Sequence, residues 1–141
     1  METPAELNSY NQKILRYEWE SLIFLIVEDI DMNYMFLAEA LKKTKVQILW
    51  ALNGQEAVDI CNLGIDIALI ITDIQMPVKD GYTATSEIHA IQPRIPIIAY
   101  TAYSYEGLRE RVLFAGAREC LIKPFDSRQL LITIRKYLFI S

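Results

Sequence analysis

The sequence predicts an α/β protein, a doubly wound sheet of five parallel strands with helices on both faces, and two observations carry that prediction. Five short apolar runs alternate with five segments of helical pattern along the chain. The central run, Ile67 to Thr72, is apolar at nearly every position and not merely at every second one, which is how a strand covered by helices on both faces reads. Alternating units of this size need right-handed crossovers, and these place the strands in parallel.

The elements follow in order. A capping box, Thr3-Pro4-Ala5-Glu6, with Pro at the first helical position, opens a helix whose apolar stripe is Leu7, Tyr10, Ile14 and Tyr17. Residues 1–20 therefore stand apart, as an amphipathic helix or linker, from a domain over 21–141. Two readings are open for this helix: packing on the domain, or docking a partner or a second copy of the chain as a homodimer. Its length of barely two heptads favours the first.

The first apolar run is Leu22 to Val27, followed by a helix from Asp31 with Met35, Leu37, Ala38 and Leu41 at helical spacing and a basic end at Lys42, Lys43 and Lys45. After the second run, Val46 to Leu49, Asn53-Gly54 opens a helix carrying Ala57, Val58 and Cys61, closed by Gly64. The third run leads past Gly81 into a helix through Ile88 and Ile91, stopped by Pro93. The fourth, Ile95 to Tyr100, precedes a helix from about Tyr105 to Ala115, ended by Gly116. The fifth, Glu119 to Ile122, precedes a last helix from Asp126 or Ser127, with Leu130, Leu131, Ile134 and Leu138 as its buried stripe.

Composition limits the function. The chain has 141 residues, enough for one full core, and its 18 acidic against 14 basic side chains leave a net charge of -4. That balance argues against a nucleic-acid surface. No apolar stretch approaches a membrane span and no basic-then-apolar leader opens the chain, so a cytoplasmic protein without direct membrane insertion is expected. Cys61 and Cys120 are too few and too far apart for a disulfide scaffold or a metal site and read as small buried residues.

The chemistry gathers at one sheet edge. Asp73 ends the apolar third run, and in open α/β sheets the carboxyl edge of the strands is where ligands bind. Glu28 and Asp29 follow the first run, and the topology brings them beside Asp73 if the two strands are neighbours. Three carboxylates repel one another unless a cation intervenes, and hard oxygen ligands with room for water suit Mg²⁺. Thr101 follows the fourth run and Lys123 the fifth. A nucleophilic carboxylate, a metal, a lysine and a hydroxyl together describe a site for a phosphoryl group.

At these residues the sequence resembles the receiver domain of two-component response regulators, over about residues 22–140. Four motifs match in order: Glu28-Asp29 after the first strand, Asp73 with Met76-Pro77 and Asp80-Gly81, Thr101-Ala102, and Lys123-Pro124-Phe125. The run Glu28 to Asn33, the segment Asn53 to Ala57 and the run Asp73 to Pro77 look most like receivers of hybrid sensor histidine kinases. The resemblance implies a flavodoxin-like receiver fold with Asp73 as phosphoacceptor. It implies Mg²⁺ bound by Asp73, Asp29, the Gln75 backbone carbonyl and, through water, Glu28. Thr101 is then the switch hydroxyl, Lys123 the phosphoryl contact with its bond to Pro124 in cis, and Ala102 leaves space for phosphoryl oxygens. The implied donor is a phosphohistidine on a histidine kinase or histidine phosphotransfer protein, since His89, the one histidine, lies outside any kinase-like box. Gln75 and Tyr103 line the approach of the hydrolytic water, and a bulky Tyr103 implies slow autodephosphorylation.

One departure and two alternatives accompany this reading. Cys120 stands three residues before Lys123, where much of the family has an aromatic ring that reports the Thr position. Either the loop after the fourth strand, with Tyr100, Tyr103 and Tyr105, carries the switch or coupling to the face of the fourth helix, fifth strand and fifth helix is weak, and these tyrosines read equally well as residues that only pack or face solvent. Because the chain ends after the fifth of these helices, output is expected to be a protein contact, by a single-domain regulator, a relay intermediate or an excised hybrid-kinase receiver. The alternatives are a receiver-like interaction module that is never phosphorylated and an aspartyl-phosphate phosphatase of the haloacid dehalogenase type. Gln75, where such phosphatases carry a second Asp, argues against the latter, and no phosphate-binding loop of the Gly-x-x-x-x-Gly-Lys type is present.

Overall fold

The computed structural model describes residues 3–76 and 78–140; Pro77 of the Met76-Pro77 motif lies outside them. The order of elements is α1 (Pro4–Leu15), β1 (Ile23–Val27), α2 (Asp31–Leu41), β2 (Gln47–Ala51), α3 (Gly54–Cys61), β3 (Leu69–Asp73), α4 (Gly81–Ile91), β4 (Ile97–Thr101), α5 (Leu108–Ala115), β5 (Glu119–Ile122) and α6 (Ser127–Leu138). The strands form one sheet in the order β2-β1-β3-β4-β5, and every adjacent pair is parallel. The chain runs outward from β1 to β2 and then crosses to the far side of β1, so the order reverses between β1 and β3. The crevice at that reversal is where the fold can receive a ligand.

Alternation along each strand divides the core into two layers. Leu25, Val27, Ile70, Ala99 and Cys120 meet α3, α4 and α5 on one face. On the other, Phe24, Ile26, Ile71, Ile98 and Tyr100 meet α2 and α6, with Leu37, Leu41, Leu130, Ile134 and Leu138 supplying the helical side. α1 joins this second layer. Ile14 is buried in it beside Trp19, the Tyr10 hydroxyl donates to the Leu138 carbonyl at 2.9 Å, and Asn11 and Ile140 exchange two hydrogen bonds. The apolar stripe of α1 is thus turned to the domain, in keeping with the packing reading.

Capping fixes the helix starts. The Thr3 capping box forms as expected, Asn53 caps α3, Asp80 caps α4 through Thr83, and Asp126 with Gln129 makes a second capping box on α6. α5 begins later than its periodicity suggests, because Gly107 at φ +88 interrupts the chain before Leu108.

Candidate functional site

The acidic half of the site is built on the ends of β1 and β3. Glu28 is fully buried. One carboxylate oxygen accepts from the Ile30 amide at 3.1 Å and from the Asn33 side chain at 3.2 Å, and the other accepts from the Tyr100 hydroxyl. Its carbonyl accepts from the Trp50 indole at 2.8 Å, and that indole is stacked on Tyr34 at 3.8 Å. With both oxygens occupied by donors, Glu28 is suited to act through water. Asp29 differs: its Oδ1 is buried and has no partner among the described residues, a state that costs free energy unless something electropositive meets it.

Asp73 is the last residue of β3 and only 8% exposed. Its Oδ1 accepts from the Gln75 amide at 3.1 Å. Burial pushes its pKa up to about 6, with Glu28 and Asp29 adding to the rise and the Gln75 amide and Lys123 opposing it. Ligand oxygens of Glu28, Asp29 and Asp73 lie within 4.8 Å of one another. Hard oxygens, an orphaned one among them, and an acid raised by burial and further by its acidic neighbours fit a small divalent cation. Gly81 closes the floor beneath. A Cβ there would stand 2.5 Å from the Asp73 carbonyl oxygen and 2.6 Å from the Ile74 Cα, so only glycine lets α4 start against the end of β3.

The other half rises from β4 and β5. Thr101 ends β4, is buried, and its hydroxyl oxygen accepts from the Tyr103 amide at 3.2 Å. The Lys123–Pro124 bond is cis, as expected, and the Lys123 ammonium lies 4.8 Å from the centroid of the Tyr100 ring. Beside it opens a cleft of about 440 Å³ lined by Asn33, Phe36, Leu37, Tyr100, Lys123 and Phe125, among others. Of the expected residues, Glu28, Asp29, Asp73, Thr101 and Lys123 all stand at this one edge.

Three contributors were not expected from the sequence: Tyr100, Asn33 and Trp50, all of which bond to Glu28. A tyrosine in a buried strand needs a partner for its hydroxyl, and that was the signal available for Tyr100. The expected grouping of Tyr100, Tyr103 and Tyr105 is not formed. Tyr100 faces the α2–α6 layer. Tyr103 is 65% exposed, and Tyr105 pairs with the Tyr82 hydroxyl at 2.6 Å on the other side of the sheet. Tyr100 lies within β4, whereas Tyr103 and Tyr105 lie past its end in the exposed loop before α5. Cys120 is buried and free, and burial raises its thiol pKa, so it is no reactive thiol. His89 is exposed on α4.

Residues 24–135, most of the chain, match the family described as the response regulator receiver domain. The chain belongs to this family. Receiver domains are signalling domains of two-component systems and not enzymes that turn over a substrate. Curated relatives include hybrid signal transduction histidine kinase G of Dictyostelium discoideum, 39% identical over 84% of this chain and 4% of that protein. Another is the transcriptional regulatory protein PdtaR of Mycobacterium tuberculosis, 41% identical over 78% of this chain and 53% of that one. The chain thus spans about half or much less of these relatives. Among solved structures, the receiver domain of sensor histidine kinase PA1611 from Pseudomonas aeruginosa has a TM-score of 0.76 at 33% identity, covering 83% of this chain and 97% of that one. It carries a magnesium ion coordinated in its active-site cleft. The Saccharomyces cerevisiae Ssk1 receiver domain, solved with the histidine phosphotransfer protein Ypd1, has a TM-score of 0.75 at 30% identity, covering 82% and 88%. Among the described residues of the present receiver, no helix is long and apolar enough to cross a membrane.

Proposed function

We propose that this receiver accepts a phosphoryl group on Asp73 from a phosphohistidine of a histidine kinase or histidine phosphotransfer protein, and that the change alters its contacts with partner proteins. The observation that carries the reading is the buried Asp73 carboxylate at the sheet edge, grouped with Asp29, whose inner oxygen has no partner. Glu28, Asp29, Asp73 and the Gln75 carbonyl would hold Mg²⁺, and that ion, when bound, supplies positive charge to the phosphoryl oxygens.

The residues of the chain do the rest. An oxygen of the Asp73 carboxylate attacks phosphorus in line, forming a P–O bond as the P–N bond to the donor imidazole breaks. The electron pair stays on the imidazole nitrogen, which takes a proton from solvent. Lys123 compensates charge on the equatorial oxygens, and the Thr101 hydroxyl exchanges its bond to the Tyr103 amide for one to a phosphoryl oxygen. Water later hydrolyses the acyl phosphate between Gln75 and Tyr103. The same reading supports a cytoplasmic setting, where the two free cysteines stay reduced.

Incubation with Mg²⁺ and a small-molecule phosphodonor should add one phosphoryl group by intact mass in wild type and none in Asp73→Asn. An unmodified wild type would overturn the proposal, and equal labelling of the variant would move the site elsewhere.

A further inference from the structure

Tyr100 touches both halves of the site and belongs to neither set of motif residues. It is 1% exposed, its backbone pairs with Asp73 on one side and Leu121 on the other, and its ring meets the edge of Phe125 with centroids 6.2 Å apart. With the ring fixed by these neighbours, two of its features point at functional groups. The hydroxyl donates to Glu28, and the face lies under the Lys123 ammonium at 4.8 Å, inside the range in which a ring quadrupole attracts a cation.

We infer that Tyr100 is a positioning residue for both chemical tasks of the site, orienting the Glu28 carboxylate with its hydroxyl and seating Lys123 with its ring. This rests on the phosphoacceptor reading above. The hydroxyl occupies the Glu28 oxygen that the Ile30 amide and Asn33 leave free, so the carboxylate cannot turn away from the cation site. Partners that orient a direct metal ligand commonly tune affinity by 10–100-fold, and because Glu28 acts through water the lower end of that range is the size expected here. The ring acts separately, because it holds the ammonium whether or not the hydroxyl is there. One side chain thus supports two functions through two different parts, and each part can be removed by itself.

Tyr100→Phe removes the hydroxyl and keeps the ring, whereas Tyr100→Leu removes both. Mg²⁺ binding is read from amide chemical shifts during titration of the unphosphorylated protein. The rate of labelling by a small-molecule phosphodonor at saturating Mg²⁺ is read by intact mass. Tyr100→Phe is expected to weaken Mg²⁺ binding by about 10-fold and to leave the saturated rate within roughly twofold of wild type. Tyr100→Leu is expected to weaken Mg²⁺ equally and also to slow the saturated rate by about 5-fold, the size of a ~1 kcal/mol cation–ring contact. Wild-type Mg²⁺ affinity in Tyr100→Phe, with Asp29→Asn binding poorly, would overturn the inference and leave the metal site standing, whatever becomes of Tyr100→Leu. Unchanged affinity in Asp29→Asn as well would overturn the metal-site reading itself. A merely structural tyrosine would instead lower stability in both variants without separating affinity from rate.

Discussion

The two halves of the site are held in opposite ways. On the β1–β3 side, Glu28 is tied at every oxygen and Asp29 Oδ1 is left buried without a partner among the described residues. Glu28 takes three donors on its carboxylate and a fourth on its carbonyl, Asp73 takes the Gln75 amide, and Gly81 leaves no free volume behind the end of β3. On the β4–β5 side, the loop over residues 102–107 is exposed throughout. Beneath it lies a cavity of about 180 Å³ lined by Tyr105, Leu108, Cys120 and Ile122, among others. A few side-chain bonds hold the loop, from Thr101 to the Tyr103 amide and from Tyr105 to Tyr82 and Arg111. The half that would bind charge is fixed in advance, as electrostatic stabilisation requires. The half that would report it is loosely packed, as a segment that must rearrange at low cost has to be.

The sharpest way to break the comparison is to disturb the tight half where it has no slack. Gly81→Ala would force its new Cβ against backbone atoms at 2.5 and 2.6 Å, and no side chain can swing aside to receive it. We expect a loss of about 2–4 kcal/mol in urea unfolding, with Asp73 labelling reduced in parallel. A variant as stable as wild type would mean that the end of β3 can give way after all.

A second test uses the cost of the tight half. Asp73 titrates at about 6 in the fold against an ordinary 3.8, so folding favours its protonated form. Stability contributed by that preference is present below pH 4 and is lost as pH rises from about 4 through 6. Above that, the penalty of a two-unit shift is about 3 kcal/mol. Asp73→Asn removes the charge, so without divalent cations it should be about 2–3 kcal/mol more stable than wild type at pH 7, and the gap should close near pH 4. Added Mg²⁺ should narrow it at pH 7 by stabilising only the wild type. A gap independent of pH would show that the carboxylate is not strained by its surroundings.

How the site divides also explains what was legible beforehand. Asp73, Thr101 and Lys123 end apolar runs, and a run ending in a polar residue marks a strand end whatever the tertiary detail. The five parallel strands followed from β–α alternation in the same way, whereas their order, with β1 beside β3, was a condition of the reading and is seen only in the structure. The grip on Glu28 was hidden because Tyr100 is on β4 and Trp50 on β2, strands on either side that do not both adjoin β1. Contacts across strands depend on which layer each side chain enters. β2 ended at Ala51 and not at Leu49 for a related reason: Trp50 is half-exposed at a sheet edge, and its place is set by Tyr34 and Glu28. α5 lost its first turn to Gly107, whose left-handed backbone can be read only from the structure.

The loose half should tolerate what the tight half cannot. Cys120→Phe places a ring toward the cavity of about 180 Å³, so the extra volume meets space instead of backbone. A change in stability within about 1 kcal/mol is expected, together with slower amide exchange in residues 102–107 as the ring supports the loop from below. A loss near 3 kcal/mol would show that the cavity closes around Cys120 in solution.

The smallest effect should come from the outermost bond of the loop. The Tyr105 hydroxyl meets Tyr82 at 2.6 Å and Arg111 at 3.3 Å, while Arg111 also covers the Tyr82 ring at 3.7 Å. Tyr105→Phe deletes the shared hydroxyl and leaves Arg111 on Tyr82, so α4 and α5 remain joined without the loop. The unfolding midpoint should not move measurably, because the remaining Tyr82 hydroxyl can turn to water. Amide exchange confined to residues 102–107 should quicken, since that bond links the loop to the two helices. Faster exchange spreading into α4 or α5 would mean that the cluster braces the helices themselves, and the boundary between the fixed and the movable half would then lie one layer further out than Thr101.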